Sequence, residues 1–131
     1  MHEKGTNMAE FKLKNHRVEE ASFNEDIKRV KKNGIEINIE GSAFVPTDLQ
    51  NDKNVCVSLT FRMGKAEDGL FFMLKTVTVF EILGECKQSI TEAEVNEKCF
   101  PVALTELRKT ATNVLLAYGK TNVNLPPFTE A

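Results

Sequence analysis

The run LFFMLKTVTVFEIL, residues 70 to 83, limits what this chain can fold into more than any other stretch. Successive side chains of a strand point to opposite faces. Leu70, Phe72, Leu74, Phe80 and Ile82 therefore share one face, while Phe71, Met73, Val77, Val79 and Leu83 share the other. An antiparallel sheet usually leaves one face to water. A strand apolar on both faces implies that the side away from the chain's own core is also covered, by another subunit or by a bound ligand. A locally apolar strand partly shielded by loops is the alternative.

The neighbouring segments supply the rest of a sheet. From Ile35 to Val45 every odd position is apolar or small, Glu36, Asn38 and Glu40 face the other way, and Pro46 stops the run. After the polar connection TDLQNDKN, Val55, Val57, Leu59, Phe61 and Met63 alternate with Cys56, Ser58, Thr60 and Arg62, predicting a second strand. GKAEDG, residues 64 to 69, reads as the hairpin turn into the run at 70 to 83. A further strand is expected from Phe11 to about Phe23. Its apolar parity fails near His16, which predicts a bulge or bend there.

A helix follows. Pro101 suits the first helical turn, where a missing N–H costs nothing, and Gly119 is placed to cap the end in a left-handed conformation. Between them Leu104, Leu107, Ala111, Val114, Leu115 and Tyr118 fall in one stripe roughly 100° wide. Burying each large member contributes about 1.5–3 kcal/mol, so this helix must lie on the sheet or on a partner helix. Val102 and Leu116 lie off the stripe and suggest a second contact. The segment VNLPPF beyond it alternates Val123 and Leu125 before two prolines that cannot donate to a sheet, and predicts an extended arm laid along an apolar surface. The expected fold is α+β: a four-stranded antiparallel sheet with one long C-terminal helix packed on it, followed by an extended proline-containing arm. Residues 1–9 are expected to form a disordered N-terminus and residues 10–128 a single domain.

Composition narrows the function by exclusion. Seventeen basic against nineteen acidic residues leave a net charge of −2, without the basic surplus that a phosphate backbone demands, so nucleic acid is not an expected partner. No apolar stretch is long enough for a signal peptide or a membrane span, and a cytoplasmic location without membrane insertion is expected. Cys56, Cys86 and Cys99 are widely spaced, with no CxxC pair, and read as buried or idle thiols. His2 and His16 read as surface residues. No GxSxG, phosphate-binding loop or GxGxxG stands in the chain, so neither catalysis nor a cofactor is expected.

The order of strands, then Cys-Phe-Pro, one long helix, Gly and an extended Asn-Leu-Pro-Pro-Phe resembles the SecB family of bacterial export chaperones. The resemblance extends to FKLKNHRVEEASFNE, residues 11 to 25, and LFFMLKTVTVFEILG, residues 70 to 84, and covers the chain from about residue 10 to 128. It implies subunits that pair and stack, hence a homodimer or homotetramer, and an ATP-independent holdase that binds unfolded or precursor polypeptides in apolar grooves. A link to protein export or to a toxin–antitoxin pair would follow. Phe44, Phe72, Val79, Phe80, Leu125 and Phe128 are the candidates for client-groove or oligomer surface, with ordinary core as the alternative for each. In SecB, acidic residues on the outer sheet dock the motor SecA. At the matching places Glu20 keeps an acid, whereas Asn24 and Leu74 do not, so weak or no SecA binding is expected. The competing reading is a non-catalytic oligomeric interaction or scaffold protein of the same fold, in which the apolar residues are consumed in subunit contacts.

Overall fold

The computed structural model describes residues 9–26, 28, 35–84, 89–120, 123 and 125–128. Among these the chain forms four strands and two α-helices: β1 (Glu10–Glu25), β2 (Ile37–Phe44), β3 (Asn54–Lys65), β4 (Leu70–Leu83), α1 (Glu92–Lys98) and α2 (Phe100–Ala117). The strands make one antiparallel sheet in the order β1-β4-β3-β2. The two-sided apolar run is therefore an inner strand, paired with β1 on one side and β3 on the other, and the two earliest strands form the edges.

Alternation sets the faces. Val55, Val57, Leu59, Phe61 and Met63 of β3, with Leu70, Phe72, Leu74, Phe80 and Ile82 of β4, are buried on the side that carries the helices. The odd positions of β2 align with this set, Ile39 opposite Phe61 and Gly41 opposite Leu59. The register of β1 shifts between Leu13 and Asn15 and again between Val18 and Glu20. Each shift takes up one extra residue, and the two bracket His16, where the parity fails. Phe11 and Leu13, then His16 and Val18, then Ala21 and Phe23 are thereby all paired with β4 residues of the helix side.

The long helix spans Phe100–Ala117, with Pro101 in its first turn and Gly119 at φ 88° just beyond its end. Ala103, Leu104, Leu107, Ala111 and Leu115 are buried against β3 and β4. Tyr118, expected in the buried stripe, is instead the exposed C-cap residue, though its ring stacks on Phe23 at 4.4 Å. A second correction is α1, since the sequence reading had one helix. Thr91 is its N-cap: its hydroxyl accepts from the Glu94 N–H, and Glu94 Oε1 accepts from the Thr91 N–H, a capping box. Glu94 is itself buried and accepts through Oε2 from the N–H of Ala9, so Ala9, assigned above to the N-terminal tail, is tied down beside α1.

Candidate functional site

The face of the sheet turned away from the helices carries Phe71, Met73, Lys75, Val77, Val79 and Glu81 of β4. Val79 is half-buried in a cross-strand row with Cys56, Phe44 and Asn15, and Phe44, at the β2 edge, is 60% exposed. Val77, opposite Arg17 and Ser58 in the ladder, is buried. Charges surround this apolar line in opposed pairs: Glu20 faces Lys75 across the ladder, Lys12 faces Glu81, and Arg62 Nη1 donates to Glu40 Oε1 at 2.8 Å. Such solvated pairs are worth about 0–1 kcal/mol each. Near the β3–β4 hairpin the face opens into a cavity of about 760 Å³ lined by Asn24, Asp26, Glu36, Arg62, Glu67 and Phe71 among others.

Phe72 and Phe80, expected at a groove or subunit surface, lie on the helix side instead and are 0% and 2% exposed. Their parity puts both rings on the face of β4 that the helices cover, with the buried side chains of β3. Phe72 packs edge-on to Phe61 at 5.8 Å and against Phe23 at 6.3 Å. Leu74 is likewise fully buried on the helix side, opposite Ala21, so it does not share a face with Glu20 and Asn24. The outer-face neighbours of Glu20 and Asn24 are Lys75, Met73 and Phe71.

Beside α2, on the β2 side, the sheet leaves a trough. Its middle is filled by two aromatic rings. Phe100 sits over Gly41, where a Cβ would lie 2.9 Å from the ring and 2.7 Å from Leu59 Cδ2. Phe128 stacks on Phe61 at 5.2 Å. Leu125 and Phe128 are both buried. Arg108 of α2 holds the backbone between them: Nε donates to the carbonyl oxygens of Leu125 and Pro126 at 3.2 and 2.9 Å, and Nη2 to that of Leu125 at 2.6 Å. At one end of the trough Ile37 is exposed. At the other, a cavity of about 370 Å³ lies between Gly41, Ser42, Ala43 and Val45 and the helix residues Glu92, Val95, Asn96 and Phe100.

Reactive groups do not converge here. Burial pushes the Cys99 thiol up to about 12, which keeps it a neutral core residue. His16 is not a surface residue: half-buried, it bridges β4 and α2 through Nδ1 to Thr78 Oγ1 at 2.8 Å and Nε2 to Thr110 Oγ1 at 2.9 Å. Cys86 and His2 lie outside the described residues. Among the described residues no group of three or more His, Cys, Asp or Glu side chains is placed to hold a metal ion, and no helix is long and apolar enough to cross a membrane.

This architecture is the SecB-like fold. It is similar to that of a Mycobacterium tuberculosis SecB-like chaperone in complex with a peptide from an antitoxin, with a TM-score of 0.64 and 16% identity over 91% of this chain and 90% of that one. A protein of unknown function from Streptococcus agalactiae is also similar, with a TM-score of 0.53 and 15% identity over 90% of this chain and 98% of that one. No protein-family model and no curated protein sequence matches the chain.

Proposed function

We propose that this protein is a non-catalytic, ATP-independent holdase that binds unfolded polypeptide segments on the apolar surface beside α2 and the β2 edge. The observation that carries the reading is the fold: nearly the whole chain superposes on a SecB-like chaperone captured with a bound peptide. Within this molecule we assign that role to the trough. Its floor is apolar, Ile37 is exposed at one end, and β2 is an edge strand whose outer backbone groups can receive an extended chain. Binding there would draw on burial of client side chains, with backbone contacts adding little sequence preference.

The test is aggregation of a reduced, slowly folding client, followed by light scattering with and without ATP. A holdase delays aggregation at near-stoichiometric ratios whether or not nucleotide is present, and Ile37→Asp weakens the effect more than Phe44→Asp, which changes the opposite face. If no unfolded client binds at about tens of micromolar while the fold stays intact, the chaperone reading fails. The scaffold reading then takes its place.

A further inference from the structure

The trough is occupied in part by the chain itself. Leu125 and Phe128, three residues apart, are buried on the helix side of the sheet, while Pro126 and Pro127 between them stay exposed. Neither proline has an N–H, so the two central residues of the buried segment leave no donor to be satisfied. Their carbonyl side is served by a side chain instead, the Arg108 fork on the oxygens of Leu125 and Pro126. A guanidinium that bonds backbone oxygens is indifferent to which side chains the segment carries. Selectivity therefore rests with the two apolar anchors, one of which is stacked on Phe61.

The geometry points to one recognition rule: the trough takes an extended segment with two apolar anchors three residues apart, and Leu125–Phe128 is its resident copy, which a client must displace. The partner chemistry is read from the occupant already seated there. The two anchors are buried while the prolines between them are exposed, so the anchors reach two separate places while the residues between them stay out in solvent. Proline-stiffened segments suit this best, because little chain entropy remains to be lost on docking. The segment's place in the trough rests on the structure alone. That unfolded clients compete for it rests on the holdase reading above.

Two measurements test the rule. A labelled peptide of sequence TNVNLPPF is titrated into the wild-type chain and into Phe128→Ala, which vacates the Phe61 face. The peptide binds Phe128→Ala at least about tenfold more tightly than wild type, and a peptide with both anchors changed to Ala gains nothing. Equal binding to the two proteins overturns the rule. Because Phe128→Ala removes a buried ring from the core, ring contacts in the wild-type chain supply the second measurement. Addition of a reduced unfolded client abolishes the nuclear Overhauser contacts between the Phe128 and Phe61 rings. If the client binds and those contacts persist, the segment is a fixed part of the fold and the displacement is wrong. Client binding without these two effects sinks the rule and leaves the holdase reading standing. Tighter peptide binding to Phe128→Ala with no client binding by any variant does the reverse.

Discussion

His16 shows how a single side chain ties the molecule together. Its two ring nitrogens meet hydroxyls from different elements, Thr78 on β4 and Thr110 on α2, so it joins sheet to helix. Burial lowers its pKa from the ordinary value of 6.5, and Glu106, the charged neighbour on α2, opposes the shift without cancelling it. The folded state thus binds the proton less readily than the unfolded chain. Stability contributed by neutral His16 is present above the ordinary histidine pKa and is lost as pH falls below it. Urea midpoints taken from neutral to mildly acidic pH should fall, and His16→Gln should flatten the fall relative to wild type. Parallel pH profiles for the two proteins would show that the bridge does not titrate in this range. The sequence did not disclose the bridge, because KNHRVEE looks solvated until the two register shifts turn His16 toward α2. Leu74 teaches the opposite lesson. Alternation alone groups it with Phe72 and Phe80, where the structure has it, and only the correspondence carried over from the family moved it to the outer face. Phe72 and Phe80 had the same parity signal, but parity cannot say which side of an inner strand meets the chain's own helix.

At the scale of elements β2 and β3 were legible because each alternates over eight or more residues, β4 because its long apolar run follows a hairpin turn, and β1 because it alternates on either side of the break near His16; α2 was legible because Pro101 and Gly119 bracket an apolar stripe. The helix α1 was missed. At seven residues it is too short for a periodic stripe, yet its signature was present in Thr91–Glu94, with Ile90 before the cap and Val95 after it both buried. A nucleus this short depends on its cap. Thr91→Ala should destabilise the protein by about 0.5–2 kcal/mol, read from urea unfolding at constant slope. An unchanged midpoint would mean that the Glu94 bond to Ala9 holds α1 without the cap. The trough escaped sequence reading for another reason. Leu125 and Phe128 were recognised as apolar, but nothing local to them reveals that Arg108, on the helix before them, binds the carbonyls of Leu125 and Pro126.

On the scale of the whole molecule, α2 spends its inner stripe on the sheet and still presents Val102 and Leu116 outward, the latter 47% exposed, while Leu13 and Val18 are exposed along the β1 edge. We expect a second copy to cover this side. Light scattering at micromolar concentration should give a mass two or four times 14.7 kDa, and Leu116→Asp should reduce it to one chain with the fold intact. A stable single chain in the wild type would overturn the expectation. Dissociation by Val79→Glu but not by Leu116→Asp would move the contact to the opposite face, where the two-sided strand first suggested it.

The strand order also has a consequence in time. β3 and β4 are joined by a short hairpin and find each other at once, whereas β1 has β4 as its partner in the sheet, Glu10 lying opposite Leu83. During synthesis, at about 5–20 residues per second, β1 emerges early and then waits, apolar on one side and unpaired along both edges, until the run at 70 to 83 has followed it out. For those seconds the nascent chain presents the kind of surface that a holdase of this fold would bind.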